Sequence, residues 1–74
     1  MANKITVVVP YASCETVSLV LIDIGLSELA AGLLLQKNDL TDAYGRMAPN
    51  YDVYMEIDIA ACKIGMEAKP HIEL

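Results

Sequence analysis

Five acids gather in one stretch of twenty residues: Asp39, Asp42, Asp52, Glu56 and Asp58, with Arg46 as the base among them. The stretch carries a local charge of −4, most of the chain's formal −5. Asp52, Glu56 and Asp58 share one parity, so a strand through them projects all three from the same face. Positions two apart on a strand are separated by ~6.8 Å, comparable with the step between phosphates along one nucleic-acid strand. Such a row imitates a phosphate backbone and suits the basic groove of a nucleic-acid-binding protein. Tyr54 stands between the acids and offers a flat anchor for a partner. The competing reading is the ordinary solvated face of an amphipathic strand. A metal site is the weakest reading, because Ca²⁺ or Mg²⁺ needs oxygens converging at ~2–2.6 Å and these side chains stand apart.

Nucleophilic catalysis needs a Ser or Cys beside a base. The chain has one histidine, His71, which reads as an exposed polar residue near the end of the sequence. Cys14 follows Ser13 on a connecting segment, with no neighbour in sequence that would lower its pKa. Cys14 and Cys62 lie 48 positions apart with no CxxC spacing, which excludes a structural zinc site. One disulfide between them is conceivable; two buried free thiols in a reducing compartment is the preferred reading. The four glycines are scattered singly, so neither GxGxxG nor a phosphate-binding GxxxxGK[ST] occurs. The expectation is no catalytic residue, no metal, no cofactor and no enzymatic activity.

The elements that would position the acids follow from periodicity. Lys4 to Val9 is dominated by β-branched residues and ends at Pro10, which reads as a strand. Thr16 to Ile24 is again rich in β-branched residues and stops at Gly25, so it reads as a second strand, antiparallel to the first across a short link. Its rival is a helix capped by Ser13 and running through Val17, Val20, Leu21 and Ile24. Ser27 reads as the N-cap of a helix from Glu28 to Lys37, with Leu29 and Leu33 on one face and Gly32 placed for close packing. Asn38 reads as its left-handed cap, with one further turn from Asp39 to Tyr44 ended by Gly45.

Tyr51, Val53, Met55, Ile57 and Ile59 alternate with Asp52, Tyr54, Glu56 and Asp58, the pattern of a strand with one buried face. The parity then flips to Cys62, Ile64, Met66 and Ala68. A two-residue turn at Ala60-Ala61 accounts for the flip, pairing Ile59 with Cys62, Ile57 with Ile64, Met55 with Met66 and Val53 with Ala68. It also sets Asp58 against Lys63 and Asp52 against Lys69. Pro70 demotes His71 to Leu74 to an edge or a loose end. The expected fold is α+β, a four-stranded, mostly antiparallel ββαββ sheet with one main helix on one face, in a single domain spanning residues 1–74.

Hydrophobic residues make up 55% of the 74, too many for a disordered chain. Ten acids against five bases leave no basic surface to displace phosphate counterions, so direct nucleic-acid binding is excluded. The start of the sequence lacks the pattern of a secretion signal, and Asp23 and Glu28 interrupt the most apolar stretch, so no membrane association and a cytoplasmic location are expected. Parity that buries Val7, Val9, Leu19 and Leu21 leaves Val8, Val20 and Ile22 on the sheet's second face, which one small chain cannot cover.

Two functions compete. The first is a small acidic inhibitor, in the style of phage anti-defence proteins or antitoxins. It would occupy the basic, nucleic-acid-binding surface of a target protein through Asp39, Asp42, Asp52, Tyr54, Glu56 and Asp58. The second is a structural homo-oligomer that buries Val8, Val20 and Ile22.

Overall fold

The computed structural model describes residues 3–71. In chain order these form strand β1 (Lys4–Pro10), a 3-10 turn (Tyr11–Ser13) and helix α1 (Cys14–Asp23). Helix α2 (Ser27–Tyr44), a second 3-10 stretch (Gly45–Asn50), strand β2 (Tyr51–Asp58) and strand β3 (Lys63–Pro70) follow. Met1 and Ala2, together with Ile72, Glu73 and Leu74 of the expected loose end, lie outside the described residues.

The expected four-stranded ββαββ sheet with one main helix is corrected here. The described sheet has three strands in the order β1-β2-β3, both neighbouring pairs antiparallel, with two helices; the class remains α+β. The error lies at Thr16 to Ile24, which is not a strand: Thr16 to Asp23 belong to α1 and Ile24 is its C-cap. β-branched content favours extended backbone only weakly, and tertiary packing overrides it. As a helix, the segment gathers Cys14, Val17, Ser18 and Leu21 on one face by 3.6-residue periodicity. Cys14 and Ser18 on that face are buried, and Val17 and Leu21 pack against the core. Ser13 holds the N-cap position without a side-chain cap hydrogen bond. β1 therefore pairs with β2, from Lys4↔Asp58 to Pro10↔Asp52.

α1 ends where Gly25 adopts φ +88. The Leu26 N–H donates to the Leu21 carbonyl at 2.8 Å and the Gly25 N–H to the Ile22 carbonyl at 3.1 Å, the bond pattern of a Schellman motif. α2 runs unbroken for 18 residues, so Asn38 lies inside it and is not a cap. Ser27 is its first residue, with Leu26 at the N-cap and Glu28 in the first turn. Gly32 meets β3 closely, as its placement suggested: a Cβ there would lie 3.1 Å from the Met66 methyl.

The β2–β3 register follows the alternation: Asp58↔Lys63, Ile57↔Ile64, Met55↔Met66, Val53↔Ala68 and Asp52↔Lys69. The turn differs from the expected one. Ile59 to Cys62 form a four-residue loop outside the ladder, with Cys62 at φ 53. The Asp58 carboxylate accepts the Ala61 N–H at 3.0 Å, which ties the loop to the strand that enters it. The core lies between the helices and one face of the sheet, from Val9, Cys14, Leu33, Leu40, Ala48, Val53 and Met55.

Candidate functional site

β2 is the central strand, and alternation sends Tyr51, Val53, Met55 and Ile57 toward the helices. Asp52, Tyr54, Glu56 and Asp58 therefore stand in a row on the opposite face, along the middle of the sheet. Asp39 and Asp42 lie on α2, which packs on the other side, so the fold splits the sequence cluster of acids into two groups.

The row does not stand as a bare line of negative charge. Lys4 and Lys63 flank Asp58 in the ladders, and Lys69 pairs with Asp52. With Glu67 included, this face holds four carboxylates against three ammonium groups, a net charge of −1. Lys69 leans toward Glu67 at 3.8 Å, and its ammonium sits 4.9 Å from the centre of the Tyr54 ring. Asp58 is engaged with its loop. Asp52 is 5% exposed and meets His71 Nδ1 at 2.7 Å. The His71 N–H also donates to the Asn50 carbonyl at 2.7 Å, which anchors the residue past the end of β3. His71 is exposed, as expected, but it is tied to Asn50 and Asp52 and is not part of a loose end.

Val8, Val20 and Ile22 do not share a face, because the strand that was to carry two of them is a helix. Val8 sits on the open sheet face opposite Tyr54, while Val20 and Ile22 lie on α1. All three are exposed. α1 also exposes Leu19, and Ile24 just beyond its end. Its polar positions after Cys14 are Glu15, Thr16, Ser18 and Asp23, and aliphatic residues take the rest. Leu19 was expected inside and is 66% exposed. On the helix-facing side of the sheet, Ile5, Val7 and Ile64 are also exposed, because the helices cover only the other end of the strands. Sequence reasoning missed Leu19, Ile24, Ile5 and Val7 as surface residues. A helical projection of residues 14–24 would have found the first two.

Helix geometry tells which flank of α1 is which. The Ser18 hydroxyl donates to the Ala30 carbonyl at 3.5 Å, so Ser18 marks the flank against α2. Val20 lies about 200° round the helix from Ser18, and Ile24 close to Val20, so both occupy the flank away from α2. α1 contacts β1, whereas α2 contacts β2 and β3, so α1 lies on the β1 side of α2. On the other side of the molecule, an open groove of about 830 Å³ runs between α2 and β3, lined by Leu26, Leu29, Gly32, Leu35, Ile64 and Met66 among others.

Both cysteines are free. Cys14 is buried as expected, and Cys62 is exposed, contrary to expectation. Burial pushes the Cys14 thiol pKa up, against a smaller downward pull from Lys37. That direction disfavours the thiolate a nucleophile needs. Among the described residues, no three His, Cys, Asp or Glu side chains converge to hold a metal ion.

No protein-family model matches this chain, and no curated protein or solved structure does so either. Among the described residues, no helix is long and apolar enough to cross a membrane.

Proposed function

We propose that this chain is a non-catalytic protein-binding module whose principal surface is apolar, and that a second copy of the chain occupies it. The observation that carries this reading is α1: the fold buries one side of it, and its solvent side keeps large aliphatic residues to either side of a narrow polar strip of Thr16 and Asp23. Leu19, Val20, Ile22 and Ile24 remain exposed at 49–66%. Large aliphatic residues clustered on the surface of a small domain mark an interaction site. A chain of this size also gains from association, since a small core alone leaves little margin of stability. Two free thiols suit a reducing compartment, which makes the cytoplasm the natural location.

A second reading keeps the acidic inhibitor. Tyr54 and Glu56 lie at the middle of an uncovered sheet face, open to a basic partner. Its weakness is the near-neutral balance of that face, because the flanking lysines would meet the same partner. Reversing Glu56 to Lys separates the two readings. It should leave self-association unchanged, and it should weaken binding only if a basic protein is the target.

The test of the first reading is Val20→Asp, measured by sedimentation equilibrium over a range of concentrations. The wild-type chain is expected to associate and the variant to remain a folded monomer, since Val20 is half exposed and contributes little to the core. A wild-type monomer at every concentration, or a variant that associates as well as the wild type, would sink this reading.

A further inference from the structure

The two edges of the sheet are built differently. β3 carries Lys63, Glu67 and Lys69 at alternate positions, with Gly65 between them and Pro70 at its end. Charge, glycine and proline are the means by which proteins keep an edge strand from pairing with another chain. β1 has Lys4 and Pro10 only at its two ends. Between them runs Ile5-Thr6-Val7-Val8-Val9, five consecutive β-branched residues, of which only Val9 is buried. That composition favours strand pairing.

The ladder shows which backbone groups of β1 are directed outward. The Ile59 N–H donates to the Asn3 carbonyl at 2.9 Å, one step beyond the Lys4↔Asp58 pair. Hydrogen-bonded residues alternate along an antiparallel ladder. Asn3, Ile5, Val7 and Val9 therefore turn their N–H and C=O groups to β2, and Lys4, Thr6 and Val8 turn theirs away from the sheet.

The geometry points to β1 as a pairing edge for a second copy of this chain, antiparallel and centred on Val7. This rests on the self-association proposed above and specifies how it is built. In this register Thr6 of each copy exchanges hydrogen bonds with Val8 of the other, Ile5 faces Val9, and the two Val7 residues face each other. The sheet continues as β3-β2-β1-β1-β2-β3, and both α1 helices stay on one side of it, next to the two-fold axis. Their flanks carrying Val20 and Ile24 face each other, and the uncovered Ile5 and Val7 lie on the same side of the continuous sheet.

Charge supports the same register. Lys4 of one copy stands opposite Pro10 of the other, and Pro10 neighbours Asp52 on β2. With strands ~4.8 Å apart, Lys4 lies about 10 Å from Asp52 of the second copy, a carboxylate already bonded to His71, so the register adds a weak attraction and no repulsion. The two Lys4 residues sit at opposite ends of the paired strands, ~20 Å apart along them. No like charges are forced together at the junction.

The experiment uses the full chain in three forms: wild type, Thr6→Pro, and Val7→Cys combined with Cys62→Ala. The Thr6 N–H faces outward, so proline removes an edge donor while leaving the β1–β2 ladder intact; circular dichroism checks that the fold survives. Sedimentation equilibrium should show a wild-type dimer that Thr6→Pro weakens about tenfold to a hundredfold. Mild oxidation should link Val7→Cys into a covalent dimer, because facing residues of a non-hydrogen-bonded pair have Cα atoms ~4.5 Å apart, within disulfide reach. A dimer that Thr6→Pro leaves unchanged and Val7→Cys does not link overturns the edge pairing while self-association stands. A wild-type monomer at every concentration overturns both. Should Thr6→Pro fail to fold, the cross-link alone decides.

Discussion

One face of β1 carries Ile5, Val7 and Val9, three aliphatic residues of nearly the same character. They are 49%, 37% and 2% exposed. β3 repeats the gradient, from exposed Ile64 to half-buried Met66 and Ala68. The difference is one of place along the strands. Leu33, Leu40 and Cys14 close over Val9 and Val53 at one end, and the helices do not reach the other. Residue type therefore sets what ought to be buried, and the reach of the second layer sets what is. The uncovered end is where this chain has apolar surface left to give a partner.

The sharpest way to break that comparison is a matched pair of identical substitutions in one helix. Leu33 is fully buried and Leu35, two residues on, is 63% exposed. Leu33→Ala should cost ~2–5 kcal/mol of unfolding free energy, the transfer and cavity loss of a core leucine. For a chain of this size that approaches the whole stability. Leu35→Ala should change it by less than about 0.5 kcal/mol, as expected on a helix surface. Urea titration of both measures the contrast, and comparable losses would mean that α2 presents a different face to the sheet.

The open face holds a second contrast, between two acid–base pairs. Asp52 meets His71 at 2.7 Å with a side chain 7% exposed, whereas Glu67 meets Lys69 at 3.8 Å with both side chains largely in water. Removing the partner of a buried polar group leaves its desolvation uncompensated, at about 1–3 kcal/mol. His71→Ala should therefore lower the urea midpoint clearly. Glu67→Ala should barely move it, because exposed ion pairs contribute little. If Glu67→Ala proved the more damaging, the anchoring role given to His71 would fail.

The half of the chain with strict alternation was legible in sequence. Period-two patterning, with opposite charges facing each other, matches the β2–β3 register from Asp52↔Lys69 to Asp58↔Lys63, while the expected Ile59–Cys62 pair falls in the loop. Gly32 and Gly45 were legible too, as a close approach and a helix stop. Thr16 to Ile24 was not, because every second and every third or fourth position is aliphatic, so both periods fit. What decides is burial by α2, a contact that local sequence does not contain. The acids show the same limit. Their clustering in sequence is real, but Asp39 and Asp42 sit on a helix across the sheet from Asp52, Glu56 and Asp58. His71 was unreadable for a related reason: its partner Asp52 is 19 positions away and becomes a neighbour only through the β2–β3 ladder.

The smallest expected effect concerns the hairpin, where the alternation was right and the turn was wrong. A two-residue turn would need positive φ at both Ala60 and Ala61, which alanine resists. The chain uses four residues instead and confines positive φ to Cys62. A side chain in the left-handed region is strained by about 1 kcal/mol, whereas glycine adopts it freely. Glycine also adds freedom to the unfolded chain, which returns about 0.4–1 kcal/mol of the gain. Cys62→Gly should therefore raise the urea midpoint slightly, with a net effect of a few tenths of a kcal/mol. Cys62→Ala, which keeps the strain and removes the thiol, should not raise it. A gain in the alanine variant equal to that in the glycine variant would assign the effect to the exposed thiol and not to the backbone of the loop.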